Sequence, residues 1–253
     1  MTFRRVPWAL RLAGLVLLLL CAAAGPAAAQ SLNLDLGGSQ PGATGKLVQL
    51  TALITLLSLA PSLLVMVTAF TRIVIVLSLL RSAIGTQGTP PNTVLIGLAL
   101  FLTFFVMQPV LDQAWTAGLL PLSDGKVTEL EGLRLAAEPF RHFMSTNVRP
   151  ADLTLFTDMA NLPAPVAGQP PSWRALIPAF MIGELRRAFE MGFLLFLPFL
   201  VIDMVVASVL MSLGMMMLQP NAISLPFKLI FFVLMDGWRM VAGSLAQSFM
   251  EGH

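Results

Sequence analysis

Charge is what this sequence has least of: Asp, Glu, Lys and Arg make up 11% of its 253 residues, against about 25% in an average soluble domain. Apolar residues make up 57%, and mean hydropathy is +0.83. That is more apolar surface than one soluble core hides, so lipid or other subunits must cover the remainder. An ordinary water-soluble enzyme is thereby disfavoured. Cysteine occurs once, as Cys21, and the two histidines, His142 and His253, lie far apart in sequence. His-Glu-x-x-His, Gly-x-Ser-x-Gly and a phosphate loop ending in Gly-Lys-Ser/Thr are all missing, so the usual signatures of zinc, serine-hydrolase and nucleotide chemistry are not there to argue from. The formal net charge is +2, but without Arg4, Arg5 and Arg11 it becomes 12 basic against 13 acidic residues. With no basic patch, no nucleic-acid partner is expected.

Those three arginines precede an apolar run and the small residues Ala27-Ala28-Ala29, the pattern of a signal peptide over 1–29. Leu20 before Cys21 is too bulky for lipoprotein processing. A mature chain without Cys21 has no disulfide and no thiol chemistry. Residues 30–46, with Gly, Ser and Asn and little periodicity, read as a flexible tether.

What the chain does have is long uncharged stretches. Residues 47–71 carry no charge and, as helix, extend ~37 Å, longer than a bilayer core. After Gly85, Gly88, Pro90 and Pro91, residues 93–111 form a second apolar helix, which makes 47–111 a hydrophobic hairpin. Residues 112–183 are a polar helical subdomain. Within it Thr128 and Glu131 have capping-box spacing, and Leu130, Leu133, Ala137, Phe140 and Met144 recur at helical intervals. Residues 184–253 form a second hydrophobic hairpin and C-terminal helix, pairing 191–218 with 223–248 around Gln219-Pro220-Asn221. The fold class is all-α: an integral membrane protein of kinked hairpins, about four hydrophobic helices in all. Pro61, Pro109, Pro178, Pro198 and Pro226 are the kinks. A cleaved signal peptide and an even number of crossings put the polar subdomain on the periplasmic side, with few cations to test the orientation.

Two features carry functional information. Arg72, Asp203, Lys228, Asp236 and Arg239 interrupt apolar segments, and a charge at the centre of a membrane helix costs at least ~2.5 kcal/mol, so each needs protein or water. Asp203 and Lys228 sit on the two arms of the second hairpin, and a bond within one subunit or between subunits fits equally. Structural pairing and a role in ion movement both remain open. The second feature is Met211, Met215, Met216 and Met217. Flexible thioethers fill irregular core gaps, and several copies around an axis would also make a deformable apolar seal. A Cu(I) site at Met211 and Met215 lacks any relay of further ligands. Asp203 and Asp236 lack the motif of an intramembrane aspartyl protease dyad.

Several long motifs then resemble one family. Pro61-Ser62-Leu63-Leu64-Val65-Met66-Val67-Thr68-Ala69-Phe70-Thr71-Arg72, Leu80-Arg81-Ser82-Ala83-Ile84-Gly85-Thr86-Gln87 and Pro90-Pro91-Asn92 look like its first half. Pro198-Phe199-Leu200-Val201-Ile202-Asp203, Gly214-Met215-Met216-Met217, Ile223-Ser224-Leu225-Pro226-Phe227-Lys228 and Asp236-Gly237-Trp238 look like its second. The family is FliP, a membrane component of the flagellar type III export gate, and the resemblance covers about residues 47–249. Gln219-Pro220 stands where many members have Pro-Pro. The resemblance implies a core channel subunit that conducts unfolded flagellar subunits across the bacterial inner membrane during flagellum assembly. It implies a pentameric homo-oligomer with FliQ and FliR, associated with FlhA and FlhB inside the membrane ring of the basal body, with no enzyme activity and no cofactor. Carried over by position, Met215, Met216 and Met217 are a pore gasket. Arg72, Glu184, Asp203, Lys228, Asp236 and Arg239 are buried-charge candidates, and Pro61, Pro90, Pro91, Pro198, Pro220 and Pro226 are turns and kinks. The alternatives are a polytopic secondary transporter, which would show a midplane ligand site and act as a small unit, and the aspartyl protease.

Overall fold

The structure is a computed structural model that describes residues 65–86, 88–163, 169–215 and 217–250, and single positions between 51 and 62. The expected signal peptide (1–29), the tether (30–46), Pro61 and Met216 lie outside the described residues. Every regular element among the described residues is helical, as the composition predicts.

Helix α1, Phe70–Ile84, buries Ile73, Val76, Leu77, Leu80, Ala83 and Ile84, a spacing of three and four that lines one side of a helix. It stops at Gly85, which adopts φ 83° and returns its N–H to the carbonyls of Arg81 and Ser82. A residue with a Cβ takes that left-handed conformation only at a steric cost. The first hairpin arm was expected to end at 71, where a charge marks the edge of the apolar run. The described arm instead continues through Arg72 to Ile84, because Arg72 is enclosed by protein and does not mark a boundary with water.

Beyond the turn containing Pro90 and Pro91, α2 occupies Asn92–Ala114. It runs on through a π-helical turn, Trp115–Leu119, into α3, Leu120–Ser123. The helical stretch is 32 residues long, roughly 48 Å at 1.5 Å per residue, and passes well beyond residue 111. Asp112 and Gln113 lower hydropathy there, but neither breaks a helix. Helix α4, Glu129–Asn147, starts at Thr128, whose hydroxyl accepts the Glu131 N–H at 3.4 Å. The Glu131 carboxylate turns to Arg134 at 3.0 Å, so only the N-cap half of the capping box forms. The buried face of α4 holds Gly132, Phe143, Met144 and Asn147, while Leu130 and Leu133 of the expected stripe are exposed. Gly118 makes this possible: a Cβ there would lie 2.4 Å from the Ala136 nitrogen, so only glycine lets the π turn seat against α4.

Helix α5, Pro150–Met159, leads to a proline-rich loop whose residues 164–168 are not described. Arg141 of α4 fastens the end of that loop, donating to the carbonyls of Pro170 at 3.1 Å and Pro171 at 2.7 Å. Helix α6 spans Trp173–Ser212, 40 residues, and continues through both Pro178 and Pro198. Pro220 opens α7, Pro220–Leu234, where its missing N–H and fixed φ suit a first helical position, and Pro226 lies inside. Helix α8, Gly237–Met250, follows at a bend of 62°. The break falls at none of the expected prolines. Asp236 takes φ 49°, and a Cβ on Gly237 would meet the Phe232 ring at 2.1 Å.

Helix α1 packs against α6, α2 and α7, and α6 also against α5 and α4; Gly192 lets α6 come so near α1 that a Cβ there would sit 2.2 Å from Leu79 Cδ1. Around this core the apolar surface is in excess. The α2–α3 stretch and α6 are each long and apolar enough to cross a bilayer, and the bent α7–α8 pair makes a third candidate. Only 39% and 11% of the most apolar windows of the first two are buried within the chain.

Candidate functional site

Four charged side chains, Arg72, Glu184, Asp203 and Lys228, form two clusters at the two ends of α1. At its first turn Arg72 is buried, 1% exposed, against Glu184 of α6 at 0%. The guanidinium makes a two-pronged contact, Nε to Oε2 at 2.7 Å and Nη2 to Oε1. Its remaining arm, Nη1, donates to the hydroxyl of Ser248 at 2.9 Å and to the carbonyl of Ser248 at 3.3 Å, both on α8. The cation also lies 3.7 Å from the centroid of the Phe249 ring. A planar fork suits this carboxylate, and its flat face suits the ring. Phe249 stacks on Phe143 at 6.0 Å, and Phe143 meets Phe180 edge-on at 5.9 Å. One arginine thus joins α1, α6 and α8, with α4 backed against them. Arg187 Nη1 adds a second, half-exposed cation 3.7 Å from Glu184.

At the other end, Lys228 of α7 donates to Asp203 Oδ2 of α6 at 2.6 Å and to the carbonyl of Ala83, in the last turn of α1, at 3.1 Å. Ser224 donates to Asp203 Oδ1 at 2.6 Å. Every oxygen of the carboxylate therefore has a partner, and the ammonium sits where the carbonyl end of a helix dipole favours a cation. Asp203 and Lys228 are paired within this one chain. The pair borders a polar cleft of about 580 Å³ that Gln219 and Asn221 also line.

Asp236 and Arg239 differ from these. They face each other at 3.8 Å but are 66% and 87% exposed, at the α7–α8 corner. They are not buried in this chain. Asp203 is held by Lys228 and Ser224 and Asp236 stands beside Arg239, so each carboxylate of the protease alternative has its own cation.

The methionines sit where α6 ends. The Gly214 N–H returns to the Met211 carbonyl at 3.1 Å and the Met215 N–H to the Leu210 carbonyl at 3.0 Å. With Gly214 at φ 73°, this is the paired-bond cap that closes a helix on a left-handed residue. Met215 is half exposed and Met217 fully exposed, at 99%, so neither fills the core of this chain. Met216 lies outside the described residues. Sequence inspection missed Ser224, Ser248 and the Ala83 carbonyl. Ser224 stands one helical turn before Lys228, a weak signal, while a backbone carbonyl leaves none.

Uncovered apolar helices locked together by buried ion pairs define a polytopic helical membrane protein built to meet other protein or lipid. Residues 53–245 match the model of the FliP family. The chain is 56% identical to a flagellar biosynthetic protein FliP of Caulobacter vibrioides over 230 residues, 90% of this chain and 86% of the relative. It is 54% identical to that of Pectobacterium carotovorum, over 80% of this chain and 78% of the relative, and 51% identical to that of Bacillus subtilis, over 83% and 96%. The chain belongs to the FliP family.

Proposed function

We propose that the chain is a core channel subunit of the flagellar type III protein export gate. In this reading it resides in the bacterial inner membrane within the flagellar basal body and conducts unfolded flagellar subunits during assembly. Five copies form the homo-oligomer, joined by FliQ and FliR and associated with FlhA and FlhB. Family membership supports the flagellar role. The observation that supports an assembly is α6: its inner face carries two ion pairs to neighbouring helices, while 11% of its most apolar window is buried.

A gate must stay closed to ions yet pass a polypeptide. Met215 and Met217, exposed beyond the α6 cap, and Met216, which follows Met215 in the sequence, supply several polarizable side chains per copy. Around an axis they close by dispersion contacts and dewetting and part when a substrate chain replaces those contacts. The two buried charge clusters act by holding the hairpins at fixed spacing while the seal deforms. Native mass spectrometry of the protein co-expressed with FliQ and FliR and released in mild detergent tests the assembly. A discrete mixed ring is expected; a monomer or dimer that ignores those partners refutes the proposal.

A further inference from the structure

The outward face of α6 is chemically inconsistent with either solvent. Arg186 and Glu190, one helical turn apart, pair at 2.7 Å and are 59% and 57% exposed. The same face carries exposed Ile182, Phe189, Phe193 and Leu197. Facing lipid, this surface leaves two charges in hydrocarbon. Facing water, it leaves a row of aromatic and aliphatic side chains unburied, and an exposed i,i+4 pair repays little of that. A protein surface of the same mixed chemistry satisfies both halves.

We propose that this stripe is where one copy of the chain packs against the next, with Arg186 exchanging the Glu190 of its own chain for Glu190 of its neighbour. The inference rests on the homo-oligomer proposed above. The two side chains leave the helix about 40° apart around its axis and ~6 Å apart along it, so the anion stands at the edge of the stripe and the cation beside it. Copies related by rotation about a ring axis can bring Arg186 of each against Glu190 of the next, a head-to-tail contact that a ring can close. Exposed Phe189 and Phe193, both on one side of the pair, then shield the bond from water on that side, the setting in which a charge pair determines which partner is accepted.

The test uses the full chain co-expressed with FliQ and FliR, with ring yield read by native mass spectrometry. Arg186→Glu alone and Glu190→Arg alone place like charges at every interface, and each is expected to lower ring yield about tenfold or more. Co-expressing the two variants, distinguishable by mass, is expected to raise the yield of mixed rings above that of either variant alone, because opposite charges then meet at up to about four of five contacts, an odd ring keeping one like-charged contact. Wild-type yield from both single variants overturns the proposal and leaves the gate reading standing. Mixed rings no more abundant than the rings of either variant alone also overturn it, since the pair then acts inside one chain. Absence of rings from the wild type overturns both. Arg186→Cys and Glu190→Cys chains, co-expressed and treated with a short bis-maleimide, give an independent readout that does not depend on charge reversal. A crosslinked dimer is expected, and only uncrosslinked chains in assembled rings count against the contact.

Discussion

Glu184 is fully enclosed, and both its oxygens face Arg72. Removing one partner of such a pair strands the other without water, at a cost of roughly 3–5 kcal/mol. Glu184→Ala is therefore expected to abolish folded protein or to lower its unfolding temperature sharply in detergent; unchanged thermal unfolding would contradict the burial described. Arg72→Lys should also destabilise, because an ammonium cannot hold both carboxylate oxygens, reach Ser248 and lie flat on Phe249 at once. The lower cluster grades its members. Lys228→Ala leaves Asp203 and the Ala83 carbonyl without their cation and should lose the assembled complex. Ser224→Ala removes one bond to a carboxylate that keeps its lysine, a loss of about 1.5–3 kcal/mol. Yields of assembled complex should follow that order, and equal yields for the two variants would show that Lys228 is not the central member.

Among the elements, glycines decide which helices come together. Gly118→Ala drives a Cβ against the backbone of α4, where no side chain can move aside. It should separate the π turn from α4 and destabilise the chain by more than the ~1 kcal/mol that alanine gains over glycine in a helix. Thermal unfolding of the purified protein measures the sign, and a stabilised variant would refute the contact. The elements were partly visible in the sequence for a physical reason. Hydropathy reports whether a residue tolerates lipid, so it marks 93–111 and the run of α6 well. It ends a segment at any charge, and therefore stops at Arg72 and Asp112, although the helices continue through both. The expected leucines of α4 are exposed because Gly118 and Gly132 choose which face meets the π turn, and glycines carry no hydrophobic signal. The charges themselves were legible as anomalies in apolar stretches. Their partners were less so: Ser248 and the Ala83 carbonyl become visible only once α8 and α1 are folded against Arg72 and Lys228.

At the level of the whole molecule, the methionine loop and the charge clusters make separable contributions. Replacing Met215, Met216 and Met217 together by alanine shrinks the side chains beyond the α6 cap without touching either ion pair. Assembled complexes are expected to form at near wild-type yield and to leak ions at rest, seen as raised conductance in planar bilayers. Wild-type conductance from a demonstrably assembled variant would remove the seal from these residues.

Chain order adds a constraint of time. Arg72 and Glu184 are 112 positions apart, and Lys228 reaches the Ala83 carbonyl across 145. At a synthesis rate of ~5–20 residues per second, Arg72 is added to the chain roughly 6–22 s before its carboxylate exists. Until then the first hairpin holds Arg72 without the carboxylate that pairs with it in the folded chain. Both ends of α1 therefore complete their charge contacts only after α6 and α7 have been synthesised.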